Sequence, residues 1–204
     1  MHWISRQRRA RDLETAELQF RLAAAVRLAS SDHRQPRDLP IVWSHGQHTV
    51  GYEDIAITEV DADRAAHFLL QTATFLLAAE IRNVIVASFR NPKDHRVKCI
   101  RSAYQIARLI RNAFAHRPFA PTWSIDHNCR DQVFSIRNTI RLDTHGLDQK
   151  RVDWRHYGGP LALLSFARWV RHRILKSPAL QPSTPEPPQV EYYQQGRLFL
   201  RRLK

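Results

Sequence analysis

The sequence predicts a mainly α fold, a helical bundle carrying one small β-hairpin and a proline-rich C-terminal extension. Three observations predict it. Apolar residues recur at helical spacing in four separate stretches, one stretch after residue 130 alternates instead, and five prolines crowd into residues 177–189. At 204 residues, 43% hydrophobic and 25% charged, the chain has the make-up of a globular protein with one substantial core. Residues 1–176 read as that domain, and residues 177–204 as an extended linker followed by a basic, amphipathic tail.

The elements follow in order. Residues 12–30 are expected to form a first helix, with Asp12 as its cap and Leu13, Ala16, Phe20, Ala23 and Val26 facing inward. Residues 30–40 are a polar connection, and residues 41–60 read as extended, with Val50, Tyr52, Ile55, Ile57 and Val60 among polar neighbours. Asp61 or Asp63 is the expected cap of a long helix over 64–89, whose Phe68, Leu69, Phe75, Leu76, Ala79 and Val84 suit a bundle core. Asn91-Pro92 turns the chain into a third helix over 96–115, patterned at Val97, Ile100, Tyr104, Ala107 and Phe114. Residues 132–136 and 139–142, joined by Arg137-Asn138, alternate as a β-hairpin does. Gly158-Gly159-Pro160 breaks the chain and starts a last helix, with Leu161, Leu164, Ala167, Val170 and Ile174 inward and Arg168, Arg171 and Arg173 outward.

Charge narrows the partners. The net charge of +13 and an isoelectric point near 10.8 favour polyanions. Residues 38–63 hold six acidic residues and no Lys or Arg, whereas residues 64–120 hold ten Lys and Arg against two acids. Lys98, Arg101, Arg108 and Arg117 in that basic maximum are the candidate nucleic-acid contacts, with Arg90, Lys93 and Arg96 beside them. An arginine-rich composition decorating solvated faces accounts for the same surplus. Cys99 and Cys129 are too few for a disulfide framework or a cysteine zinc site, which points to a reducing compartment. The first twelve residues are too charged for a signal peptide, and the apolar stretch over 65–79 is too short to span a bilayer. A cytoplasmic protein with no membrane partner is expected.

The segment Arg111-Asn112-Ala113-Phe114-Ala115-His116 carries the chemistry. Continuing the spacing of residues 97, 100, 104 and 107 puts Arg111 where an apolar side chain is expected. A guanidinium cannot shed its charge, so there it needs a partner, a phosphate or water. Pro118 disfavours helical angles at Arg117 and ends the helix just after His116, where the negative helix terminus favours a protonated imidazole. An imidazole that moves protons beside a fixed cation can cleave RNA without a metal.

Arg111-Asn112-x-x-x-His116, followed by Phe119, resembles the R-N-x-x-x-H signature of the HEPN superfamily. The resemblance covers roughly residues 61–120 and extends toward the last helix. It implies a HEPN-like helical bundle, commonly a homodimer whose two motifs meet at the interface, acting as a metal-independent endoribonuclease in toxin–antitoxin or phage-defence systems. By the same resemblance His116 is the acid/base, Arg111 the phosphate contact, and Asn112 the residue that orients them. An antitoxin or defence-complex protein is then a possible partner besides RNA. The β-hairpin over residues 130–143 is an insertion relative to a minimal bundle of that kind.

Other readings stay open. Arg and His near a helix end also serve as ordinary caps, and the basic face also fits a non-catalytic nucleic-acid-binding module. A helical protein-interaction module is a third reading, with Arg111 paired to an acidic partner such as residues 38–63 of its own chain. His45-x-x-His48 needs a further ligand, for which Glu53, Asp54 or Asp143 could be recruited. No helical H-E-x-x-H spacing exists, so a chance pair among 11 histidines explains it better than a metal site. Tyr104, Trp123 and Trp154 read as packing residues before base platforms. No P-loop, dinucleotide fingerprint or G-x-S-x-G occurs, and no cofactor is expected.

Overall fold

A helix with apolar residues on every side has to sit at the centre of something, and residues 59–88 are such a helix. The computed structural model describes residues 2–31, 42–51, 58–115, 117–176, 192–194 and 197–199. The chain runs α1 (His2–Ser31), β1 (Val42–His45), β2 (His48–Gly51), α2 (Glu59–Ser88), α3 (Lys98–Ala115), β3 (Val133–Ile136), β4 (Ile140–Asp143), α4 (Gly159–Val170), β5 (Tyr192–Gln194) and β6 (Arg197–Phe199). The fold is mainly α. Its strands form three separate antiparallel pairs among the described residues. His116 and the proline-rich segment 177–191 lie outside those residues.

α1 and α3 both pack on α2, and Leu13, Leu77, Ile81, Ile85, Ile106 and Ile110 are fully buried in the common core. Arg27 at the end of α1 donates to Asp63 at the start of α2 at 2.5 Å, so the two helices run antiparallel. By length and composition alone residues 60–88 would reach across a bilayer, but half of their most apolar 18-residue span is buried within the fold.

Several sequence expectations need correcting. α1 begins at His2, ten residues before the expected start, because nothing in residues 2–11 breaks a helix. Asp12 does not cap it but lies 3.9 Å from Arg8, one turn back, in an exposed pair worth little. α2 is capped by Thr58, whose hydroxyl oxygen accepts from the Asp61 amide at 3.2 Å. Asp61 cannot be the cap, since its own carboxylate accepts from Thr58 at 2.8 Å and from Arg64 at 2.5 Å. The inward face of α2 is also rotated from the expected one. Ala66, Leu70, Ala73, Leu77, Ala78, Ile81, Val84 and Ile85 are buried, whereas Leu69 and Leu76 are exposed and Phe68, Phe75 and Ala79 half-buried.

β3 and β4 pair with Ile136 opposite Ile140, and they turn Phe134, Ile136, Ile140 and Leu142 inward, as the alternation predicts. Asn138 takes the left-handed conformation (φ 55°) that the tight turn requires. Gly158 (φ 92°) starts α4, and a Cβ there would meet Ala162 at 3.1 Å. α4 then widens into a π turn over Arg171–Leu175, marked by the Lys176 amide donating to the Arg171 carbonyl. Two assignments on the last helix change. Leu161 in its first turn is 78% exposed, and Arg171, expected outward, reaches Glu17 of α1 at 3.1 Å.

That pair is costly as well as cohesive. Glu17 is 5% exposed, and burial pushes its carboxyl above the usual range, against the pull of Arg171 and then Arg168. The folded protein therefore binds a proton at Glu17 more tightly than the unfolded chain does. This group's contribution to stability is greatest below pH 4.5 and falls as pH rises from there through the raised value. Glu17→Gln should flatten that part of the profile, measured by urea unfolding of both proteins between pH 4 and 8. An unchanged slope would show that Glu17 is not the source.

Candidate functional site at the end of α3

α3 is strongly two-sided. Ile100, Ala103, Ile106, Ala107, Leu109, Ile110, Ala113 and Phe114 are buried, and the remaining flank carries Arg101, Tyr104, Arg108, Arg111 and Asn112 half-buried. Tyr104 packs against the core. Arg111 lies over α2, its Cζ 5.9 Å from the Phe75 ring centroid, and its Nη1 donates to Asn112 Oδ1 at 3.1 Å. Among the described residues no carboxylate pairs with it, and Asp61 and Asp63 of the acidic segment are taken by Arg64 and Arg27. A half-buried cation held only by a ring face and an amide oxygen keeps donors for an anion. His116 falls outside the described residues, so its distance to Arg111 is not part of this geometry.

The candidate phosphate contacts divide. Lys98 and Arg117 are exposed. Arg101 donates to the His95 carbonyl at 2.7 Å and the Arg96 carbonyl at 3.2 Å, closing the turn before α3. Arg108 is engaged on all three nitrogens. It donates to Gln105 at 2.9 Å, to Cys129 Sγ at 3.2 Å and to Asp126. Its place is structural, tying α3 to the 126–129 turn.

A second feature lies beside the motif, and no spacing in the sequence announced it. A partly open cavity of about 470 Å³ is lined by His67 and Gln71 of α2, Phe114 of α3, Pro121, and residues 150–154 and 156. Gln71 and Phe75 are one turn apart on α2, and Phe114 is one turn beyond Arg111 on α3. The cavity therefore begins roughly 5.4 Å along the same groove from the Arg111–Phe75 contact.

Its far wall is built on Trp123, which is fully buried. The Trp123 amide donates to the Lys150 carbonyl at 2.9 Å, and its indole N–H donates to His156 Nδ1 at 2.8 Å. The Asp153 amide also donates to His156 Nδ1, at 3.2 Å, which fixes the proton on Nε2. Burial holds the His156 imidazole below its ordinary value, Asp153 opposes this, and Lys150 and Arg155 add to it. Asp153 itself is gripped by Arg155 through both oxygens, with contacts of 2.5 to 3.1 Å, and its carboxyl sits well below the usual range. Lys150 and Arg151 are exposed at the wall. In the floor, Gln71 is 8% exposed and its Nε2 lies 2.9 Å from His67 Nε2, while its Oε1 has no partner.

Trp154 lines the cavity and packs on the rings of Phe114 and Tyr157. His45 and His48 face each other across the β1–β2 turn, both exposed, and no group of three metal-ligating side chains occurs among the described residues. No family model, no curated protein and no solved structure matches the chain.

Proposed function

We propose that this protein is a metal-independent endoribonuclease of HEPN type. His116 moves the proton between the 2′-hydroxyl and the leaving oxygen, and Arg111 steadies the charge that develops on the phosphate. The 2′-oxygen attacks phosphorus, the 5′-oxygen leaves with a proton, and a 2′,3′-cyclic phosphate remains. The observation that carries this reading is Arg111: half-buried on a core helix, with no carboxylate partner among the described residues. Such a cation has donors left over for an anion. Asn112, through its contact at 3.1 Å, orients the guanidinium.

Labelled total RNA incubated with the purified protein in EDTA tests it. Cleavage by the wild-type chain and none by a folded His116→Ala variant is the expected result. Equal cleavage by both removes His116 from the mechanism. A toxin or phage-defence role, and an antitoxin partner, follow only from the resemblance in the motif.

The outer face of α2 favours a second reading, an interaction module. Leu69, Leu76 and Val86 are exposed there beside half-buried Phe68 and Phe75. Because Phe75 also carries Arg111, a second copy covering this face would bring two motifs together, which joins the two readings in a homodimer. Leu69→Glu with Leu76→Glu is expected to yield a monomer in sedimentation velocity. A wild type that is itself monomeric at tens of micromolar rules the homodimer out.

A further inference from the structure

We infer that the cavity at the end of α3 is a subsite for one unpaired nucleotide of RNA, the neighbour of the phosphate held at Arg111. This rests on the ribonuclease reading for its register and on the cavity itself for its chemistry. At about 470 Å³ the space is within the range of pockets that hold small ligands. Its walls combine the parts a nucleotide needs. Trp154, Pro121 and Val152 offer apolar and aromatic surface for a base. Lys150 and Arg151, both exposed at the wall, offer charge to a phosphate.

One polar group is left for the edge of a base. The His156 Nδ1 accepts from Trp123 and Asp153, so its Nε2–H remains as a donor. Gln71 lines the cavity, but its unpartnered Oε1 is sealed from it and its other polar atom meets His67. Asp153, the one carboxylate in the lining, is already neutralised by Arg155 at 2.5 Å and does not repel a phosphate. The adjacency to the motif fixes the register: Phe114 and Arg111 are one turn apart on α3, so adjacent nucleotides of one strand would occupy the two positions.

The test uses the full chain and a 2′-O-methyl RNA hexamer, which cannot be cleaved, by fluorescence anisotropy. Hexamers lacking one base at each position in turn are compared with the intact one. Loss of the base at a single register is expected to weaken binding on the order of tenfold. Trp154→Ala is expected to abolish that difference, provided its unfolding curve remains cooperative. Lys150→Ala with Arg151→Ala, which touches only exposed side chains, should weaken the intact hexamer and lower the salt slope by about 2.

Abasic hexamers that all bind like the intact one, or an unchanged salt slope in the double variant, overturn the subsite. The outcomes separate it from the parent reading. Cleavage that depends on His116 without any abasic penalty keeps the nuclease and removes the pocket. An abasic penalty in a protein that never cleaves keeps the pocket and removes the nuclease.

Discussion

Arg111→Ala should slow RNA cleavage by a factor on the order of 10² to 10³, the loss found when one donor to a developing oxyanion is removed. The same change should leave the fold nearly intact. What holds Arg111 in the protein is one ring face and one amide oxygen. A cation–π contact at a partly solvated site is worth about 0.5–1 kcal/mol. A hundredfold rate loss is about 2.7 kcal/mol of barrier, so the effect on catalysis exceeds the effect on stability severalfold. Arg111→Lys separates charge from shape: it keeps the cation but loses the planar fork, and an intermediate rate is expected. Single-turnover cleavage in EDTA, beside a melting curve for each variant, reads both quantities. A variant that cleaves normally shows that Arg111 is an unpaired structural cation and nothing more.

Trp123→Ala should give the largest loss of stability, about 3–5 kcal/mol for a fully buried tryptophan, measured by urea unfolding. The Gln149 amide donates to the Trp123 carbonyl at 2.9 Å and the Trp123 amide donates to the Lys150 carbonyl, backbone bonds that alanine keeps. The substitution removes the fully buried ring and the indole donor that holds His156 in the cavity wall. Trp123→Phe keeps the ring buried but withdraws the indole donor, and about 1–2 kcal/mol is expected from that hydrogen bond and the lost ring volume. A Trp123→Ala variant within 1 kcal/mol of wild type would mean that the wall is held elsewhere.

Helices, hairpin and class were legible because each has one dominant period or breaker. Phe134, Ile136, Ile140 and Leu142 alternate cleanly, and Gly158-Gly159-Pro160 can only interrupt. α2 was harder for a physical reason: a helix apolar all round has no polar face to locate its apolar one. Only packing decides that Leu70 and Leu77 go in while Leu69 and Leu76 stay out. The Arg171–Glu17 contact was hidden because its geometry comes with a π turn that no periodicity signals.

The candidate site was legible at Arg111 and Asn112, which stand on one helix in a short motif. The cavity beside them was not. His67 and Gln71, Phe114, and Lys150 to His156 come from three distant segments, and they meet only because Trp123 carries the third segment back to α3. His156 had one local sign, an Asp three residues earlier with which it forms a capping box.

The imidazole of His156 has a further consequence. Two hydrogens already point at its Nδ1, so taking up a proton there means turning both away. Since burial lowers its affinity for protons in the folded protein, the neutral ring favours folding at neutral pH, and that advantage fades as pH drops below 6.5. Mild acid thus works against the two hydrogen bonds, from the Trp123 indole and the Asp153 amide, that pin this ring in the wall.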